Sequence, residues 1–143
     1  MLTIIEKVLL LQEIDIFKNT TTEDLAHIAA IAEEVHFAAG KIIYREGEIS
    51  DAMFVMVEGK VSLQLNEKEL MTAKKPDVFG SWALFDEEPR VVTATTLEES
   101  VLLRVDREEF LDLLADHSRI TRSVLKTLAS RVRSLIGRVQ VKS

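Results

Sequence analysis

The sequence predicts a mainly β fold with flanking helices: an eight-stranded, jelly-roll-like β-roll between N-terminal and C-terminal helices. Short β-prone segments separated by turn signals fill the middle of the chain, apolar residues recur at helical spacing at both ends, and four of the five glycines lie at predicted strand ends. Many short strands at regular intervals are typical of a sandwich or closed roll. We expect one domain over 1–143, with N-terminal helices in 1–34, the roll in 35–106 and C-terminal helices in 107–140.

Two helices are predicted before the roll. Residues 2–12 carry apolar side chains at helical spacing, which indicates a short first helix. Thr20 and Glu23 have the spacing of a capping box, in which a hydroxyl and a carboxylate bind free backbone amides. This pair predicts the start of a second helix, which we expect to end near Ala32.

The strands are predicted from alternation and from glycine. Val61, Leu63 and Leu65 alternate with polar residues, which is the pattern of a half-buried strand. Glycine at a strand end supplies a positive φ or a close backbone approach. The glycines at strand ends are Gly40, Gly47, Gly59 and Gly80. The predicted strands are Val35–Ala38, Lys41–Arg45, Ala52–Glu58, Lys60–Asn66, Lys68–Lys74, Val91–Leu97 and Val101–Asp106, and an eighth ends at Phe79-Gly80.

Two more helices follow the roll. Asp106 is expected to cap a helix over Arg107–Ala115. A longer helix then begins at His117 or Ser118 and carries an apolar seam with steps of 3, 4, 3 and 4 residues, the spacing of a coiled coil. Packing on the domain's own body and a homodimer through residues 118–140 both fit this seam. The seam consists of Leu125, Leu128, Val132, Leu135 and Val139.

Charge is distributed unevenly along the chain. The net charge is −6, yet the residues after Asp116 carry seven cations and no acid. This asymmetry predicts a basic terminal helix that meets an acidic surface, either its own or a partner's. A solvated helix face explains the same residues, and we do not expect nucleic-acid binding.

Several classes of protein are excluded or disfavoured by composition. The chain has no cysteine, which excludes disulfides and thiolate chemistry and agrees with the cytoplasmic location that we predict. No apolar run approaches the ~18 residues needed to span a bilayer. His27, His36 and His117 lie in three separate predicted elements, and the chain has no Gly-x-Ser-x-Gly motif or P-loop. We therefore expect no catalytic residue, no metal and no cofactor.

Residues 77–95 carry the strongest functional signal. Ser81–Leu84 can form one helical turn, and Gly80 before it lets backbone amides approach a ligand. Free amides at the start of a helical turn are donors for an anion. Arg90, expected at the start of the next strand, can meet the same anion with its guanidinium. This segment therefore predicts an anion-binding site inside the roll.

The same segment resembles the phosphate-binding cassette of cyclic-nucleotide-binding domains. It reads Phe-Gly-x-x-Ala-Leu at 79–84 and Pro-Arg at 89–90, and the turn glycines of 39–48 and 54–61 match the family as well. Such domains occur in the catabolite activator protein, the regulatory subunits of cyclic-AMP-dependent kinase and cyclic-nucleotide-gated channels. The resemblance covers residues 14–136. It implies a regulatory β-roll that binds cyclic AMP (cAMP) or cyclic GMP (cGMP) and signals through its C-terminal helices.

The resemblance implies a ligand site in residues 79–90, here called the cassette segment. Family members that bind cAMP or cGMP well carry a glutamate after Phe-Gly, which accepts the ribose 2′-hydroxyl, and a small residue after the arginine. Here Ser81 replaces the glutamate, and Val91 and Val92 follow the arginine. Loss of a bond to a charged group, about 1.5–3 kcal/mol, corresponds to about 10- to 100-fold in affinity. The implied ligand-binding residues are Phe79, Gly80, Ser81, Trp82, Ala83, Arg90 and Val91.

Some interpretations remain open at this point. Trp82 and Phe85 can anchor the cassette turn to the core or stack on a base, and we favour anchoring. The three acids of 86–88 are expected to be solvated rather than metal-binding. The domain can also be a non-binding interaction module, or a fragment of a larger transporter or signalling protein. A DNA-binding regulator is not expected, because it would need a helix-turn-helix module after Ser143.

Overall fold

The computed structural model describes the backbone of residues 1–142 and the side chains of residues 1–137. The helices are α1 (Ile4–Leu11), α2 (Thr22–Ile31), α3 (Arg107–Asp116) and α4 (Ser118–Lys142). The strands are β1 (Glu33–Phe37), β2 (Ile42–Tyr44), β3 (Ala52–Glu58), β4 (Val61–Leu65), β5 (Lys68–Ala73), β6 (Val78–Phe79), β7 (Thr93–Thr96) and β8 (Ser100–Asp106). They form two antiparallel four-stranded sheets, ordered β1-β8-β3-β6 and β2-β7-β4-β5. The predicted eight-stranded roll with flanking helices is confirmed.

The first sheet separates two apolar clusters. Strand β3 is buried on both faces, because its side chains point alternately toward the helices and into the roll. Met53 and Val55 lie in the cluster beneath the helices, with Phe110 of α3. Phe54 lies in the second cluster, where its ring stacks on Phe79 at 5.6 Å between ring centres. The end of β6, from which the cassette segment leaves, is therefore anchored inside the roll.

The start of α2 differs from the prediction by one residue. Thr21 is the N-cap, and its hydroxyl accepts a hydrogen bond from the amide of Asp24 at 3.2 Å. The predicted box of Thr20 and Glu23 is therefore wrong. The amide of Thr20 donates to the carbonyl of Phe17, so this residue still belongs to the preceding turn. Its hydroxyl is buried and has no hydrogen-bond partner within the described part of the chain.

Helix α4 packs on the body through a stripe that the sequence analysis did not select. Ile120, Val124 and Thr127 are buried, and the side-chain amide of Asn19 donates to the hydroxyl of Thr127 at 2.8 Å. Because this stripe is short and includes the polar residue Thr127, the sequence pattern favoured the longer and more apolar seam. The inner face of α4 is thereby held against the N-terminal segment.

The predicted seam of α4 lies beside this stripe and is largely exposed. Leu125, Val132 and Leu135 are each more than half exposed, and Leu128 is half-buried. Leu128 packs against the core beneath the helices, so the predicted packing on the domain's own body holds for this member of the seam but not for the three exposed ones. The side chain of Val139 lies outside the described residues.

The basic terminal helix does meet an acidic surface of its own chain. Arg119 donates two hydrogen bonds, of 2.6 and 2.8 Å, to the buried carboxylate of Asp24. These bonds hold the pKa of Asp24 below its ordinary value, chiefly through hydrogen bonding. Further along the helix, Arg131 donates to Asp15 of the N-terminal segment. No helix of the described residues is long and apolar enough to cross a membrane.

Candidate ligand-binding site

A cavity of about 270 Å³ opens between the roll and the cassette segment. This volume lies just under the roughly 300–1,000 Å³ of ordinary small-molecule sites. Tyr44, Leu63 and Val92 supply much of its apolar wall. The structure brings six of the seven predicted residues to this wall, while Ser81 is not among the lining residues. The six are Phe79, Gly80, Trp82, Ala83, Arg90 and Val91.

Gly80 sets the direction of the chain at the cavity. Its φ of 74° lies in the left-handed region, which side chains other than glycine rarely adopt. A Cβ added here would lie 2.7 Å from Nη1 of Arg90 and 3.3 Å from the carbonyl oxygen of Ala52. Glycine is therefore required both for the backbone turn and for the close approach of the guanidinium.

The predicted helical turn is present as a 3₁₀ helix over Ser81–Leu84. The amide of Ala83 donates to the carbonyl of Gly80 at 3.1 Å, so the turn itself occupies this donor. The amides of Ser81 and Trp82 come first in the helix and have no acceptor within it. Of the amides at the start of the turn, that of Ala83 is therefore not free to bind an anion.

Arg90 is buried beside the cavity, with its side chain only 4% exposed. Its Nη2 donates to the carbonyl of Ala52 at 2.8 Å, and the guanidinium carbon lies 4.0 Å from the centre of the Tyr44 ring. Its Nε is buried and has no hydrogen-bond partner within the described residues. Burial lowers the pKa of Arg90 and raises the pKa of Tyr44, because each charged form loses solvation.

The backbone position of Arg90 differs from the prediction. Strand β7 begins at Thr93, so Arg90 does not start it. Instead, its amide donates to the carbonyl of Glu48 at 2.9 Å, and its carbonyl accepts from the amide of Gly47 at 2.8 Å. This pairing with the loop after β2 holds the Arg90 backbone in place, and its side chain lies beneath Gly80.

Trp82 does not anchor the cassette turn. Its side chain is 70% exposed, because the turn buries Ala83 and Leu84 and leaves the indole on the opposite side. The favoured interpretation of Trp82 is therefore wrong. Phe85 does contact the core, where its ring meets the edge of Phe110 at 6.2 Å between centres.

Arg107 is a residue of the site region that the sequence analysis missed. It is the first residue of α3 and is buried to 9% exposure. Its guanidinium donates to the carbonyls of Ser50, Ala83 and Asp86, the last at 3.0 Å. An arginine after a helix-capping aspartate is typical of a solvent-facing cation, so nothing local in the sequence signals these contacts.

Asp51 was also missed, and it shapes the charge around Arg90. Its carboxylate lies 3.7 Å from Nη2 of Arg90 and 3.4 Å from Nη2 of Arg104. One carboxylate is thus shared by two guanidinium groups, and the three side chains together carry one positive charge. Nη2 of Arg104 also lies 3.7 Å from Oδ1 of Asp106, so the two guanidinium groups face two carboxylates.

The three histidines lie in separate parts of the fold, as predicted, but the fold brings two of them together. His27 and His117, from distant parts of the chain, lie with their rings 4.3 Å apart at the junction of α2, α3 and α4. His36 contacts Glu34 on β1. The described residues contain no group of three or more metal-binding side chains.

Known proteins with similar sequences include a transcriptional regulator and a kinase. The chain is 30% identical over 123 residues to the "CRP-like cAMP-activated global transcriptional regulator" of Mycobacterium tuberculosis, covering 82% of this chain and 55% of that protein. It is 32% identical over 114 residues to "cGMP-dependent protein kinase, isozyme 1" of Drosophila melanogaster, covering 74% and 15%. The chain thus spans about half the length of the first relative and a small part of the second.

A solved structure and a family model match the chain as well. The N-terminal domain of a transcriptional regulator from Streptomyces coelicolor A3(2) superposes with a TM-score of 0.83 at 28% identity, covering 88% of this chain and 94% of that one. The family model described as "Cyclic nucleotide-binding domain" matches residues 34–117, which include the whole cassette segment. The chain therefore belongs to the cyclic nucleotide-binding domain family.

Proposed function

We propose that this regulatory domain binds a cyclic nucleotide in the cavity beside the cassette segment. The observation that carries the proposal is Arg90, whose Nε is buried without a partner among the described residues at the wall of this cavity. A buried donor without an acceptor costs about 1–3 kcal/mol. A phosphate oxygen of the ligand would supply the acceptor, next to the free amides after Gly80.

The candidate ligands are cAMP and cGMP. The names of two relatives mention these nucleotides, "cAMP-activated" for the regulator and "cGMP-dependent" for the kinase. In our proposal Gly80 and Arg90 hold the phosphate, while Phe79, Trp82 and Val91 surround the rest of the ligand with Ala83. Ser81 is the weakest part of the site, because it lacks the carboxylate of strong binders and does not line the cavity. We propose no catalytic activity for this chain.

The C-terminal helices are the proposed output. Arg107 at the start of α3 donates to the carbonyls of Ala83 and Asp86. A shift of the cassette segment would therefore be transmitted directly to this helix. A ligand changes the helix arrangement only as far as it binds one arrangement better than the other. The cytoplasmic location expected from the sequence remains a prediction.

Calorimetric titration with cAMP and cGMP tests the proposal. We expect the wild-type protein to bind, and Arg90→Lys to bind at least about tenfold more weakly, since lysine keeps the charge but loses the planar fork. Ser81→Glu is expected to bind about 10- to 100-fold more tightly because it restores a charged acceptor. Thermal unfolding of each variant controls for loss of the fold. If titration of the folded wild-type protein with millimolar ligand produces no heat of binding, the proposal is wrong.

A second candidate function is protein interaction through α4. The exposed face of this helix carries the hydrophobic residues Leu125, Val132, Leu135 and Ile136. We propose that a second copy of the chain covers this face, because the 3–4 spacing of the seam suits a two-helix contact. This use of α4 does not depend on ligand binding.

A further inference from the structure

Tyr44 is a buried residue of the cavity wall whose hydroxyl has no assigned contact. It ends β2, pairs with Ala94 of β7 and belongs to the apolar cluster inside the roll. Its ring lies 6.0 Å from that of Phe54 and 6.1 Å from that of Phe79, measured between ring centres. Only 7% of the residue is exposed. This packing fixes the direction in which the hydroxyl leaves the ring.

The hydroxyl of Tyr44 reaches the turn at the start of the cassette segment. The position that a Cβ of Gly80 would occupy lies 3.6 Å from the hydroxyl oxygen of Tyr44 and 2.7 Å from Nη1 of Arg90. The hydroxyl and the guanidinium therefore border the same point beside Gly80. The amides of Ser81 and Trp82, which begin the 3₁₀ helix, follow this glycine directly in the chain. Donors from β2, from the turn and from Arg90 thus meet beside Gly80.

The hydroxyl of Tyr44 is available as a donor to a ligand. It forms no hydrogen bond within the described residues, yet it is not sealed from the cavity that Tyr44 lines. A buried tyrosine usually finds a partner for its hydroxyl. Burial raises the pKa of Tyr44, against a smaller opposite effect of the Arg90 charge, so the hydroxyl holds its proton at neutral pH. An anion in the cavity would supply the acceptor that the fold itself does not.

We propose that Tyr44 is a ligand-contacting residue whose hydroxyl donates a hydrogen bond to an exocyclic phosphate oxygen of the bound nucleotide. This inference rests on the proposed function. The ring of Tyr44 has a separate role, because the guanidinium carbon of Arg90 lies 4.0 Å from its centre. The ring therefore positions the cation, while the hydroxyl binds the phosphate that the cation attracts.

Two substitutions separate the hydroxyl from the ring. Tyr44→Phe keeps the ring beside Arg90 and removes only the hydroxyl, whereas Tyr44→Leu removes both. We expect Tyr44→Phe to bind cAMP or cGMP, whichever the wild-type protein prefers, about 10- to 100-fold more weakly in calorimetric titration, because one hydrogen bond to a charged group is lost. Its thermal unfolding without ligand should match that of the wild-type protein, since the hydroxyl has no partner within the described chain.

The leucine variant distinguishes a direct contact from an effect through Arg90. If Tyr44→Phe binds the nucleotide as tightly as the wild-type protein while Tyr44→Leu binds it weakly, Tyr44 acts only through the position of Arg90. That result would overturn the inference and leave nucleotide binding intact. A wild-type protein that binds neither cAMP nor cGMP would overturn the proposed function and the role of Tyr44 with it.

A sulfur-substituted ligand locates the bond on the phosphate. The two diastereomers of the nucleotide's cyclic phosphorothioate each carry sulfur, a weaker acceptor, at one of the two exocyclic positions. We expect the affinity loss caused by Tyr44→Phe to be about fivefold smaller for one diastereomer than for the other. Equal losses for both diastereomers would place the effect of the hydroxyl away from the phosphate, and the inference would be wrong.

Discussion

Gly80 and Arg90 constrain one another at the scale of single residues. The glycine adopts a φ of 74°, and the space where its Cβ would be is taken up by the guanidinium. The arginine in turn donates to Ala52 and lies over the Tyr44 ring. The conformation of the turn and the position of the cation therefore depend on each other, and a change at either residue affects both.

Gly80→Ala is expected to destabilise the protein more than Gly40→Ala. Both glycines have a positive φ, so alanine costs about 1–2 kcal/mol at each position. Only at Gly80 does the new methyl group displace Arg90, which adds about 1–3 kcal/mol for its lost hydrogen bond. Chemical denaturation measures the difference, and Gly40, with nothing within 4 Å of its Cβ position, is the matched control. If the two variants lose the same free energy of unfolding, Arg90 moves away from the new methyl group without a loss of stability.

Elements are connected here by contacts at their ends. Asp106 caps α3 as predicted, with its carboxylate accepting from the amide of Glu109. The next residue, Arg107, joins the start of this helix to the cassette segment. The start of α2 is set by Thr21, because the preceding residue is still bonded to Phe17. Each of these helices therefore begins after the residue whose side chain accepts from a free backbone amide of the first turn.

The helix cap is tested by two isosteric variants of neighbouring residues. Thr21→Val is expected to lower the free energy of unfolding by about 1 kcal/mol, because it removes the acceptor for the Asp24 amide. Thr20→Val is expected to be neutral or stabilising, because the hydroxyl it removes is buried without a partner in the described chain. Urea denaturation compares the two. A larger loss for Thr20→Val would instead assign the cap to Thr20.

At the scale of the whole molecule, α4 has two apolar sides with different roles. The inner stripe holds the helix against the N-terminal segment, together with ion pairs from Arg119 and Arg131. The outer seam leaves Leu125, Val132 and Leu135 more than half exposed in the single chain. The N-terminal and C-terminal helices therefore form one unit beside the roll, and the seam is the surface that this unit presents.

Leu135→Glu is expected to abolish self-association without unfolding the chain. Leu135 is 56% exposed in the single chain, so a charge there disrupts only a contact with a second copy. Ser134→Glu adds the same charge to an exposed position beside the seam and should leave a dimer intact. Analytical ultracentrifugation measures the mass of each protein. A monomeric wild-type protein at high micromolar concentration would rule out the dimer.

Much of the fold was predictable because its signals are local. The alternation of Val61, Leu63 and Leu65 predicted β4, and Gly80 followed by a turn-forming tetrapeptide predicted the cassette turn. These patterns arise from the two-residue period of strands and from the φ values that only glycine adopts readily, so neighbouring residues are sufficient to reveal them. The same patterns predicted the order of helices, roll and helices, and the family resemblance agreed with it.

The tertiary structure decided what depends on residues far apart in the chain. Arg90 is buried because Tyr44 and Ala52 surround it, and Arg107 binds carbonyls more than twenty residues away. Trp82 is exposed because the turn buries its other side, and α4 uses its less apolar stripe because Asn19 and Asp24 lie there. A local sequence pattern shows which face of an element is apolar. Which face is buried depends on the partner that the fold brings to it.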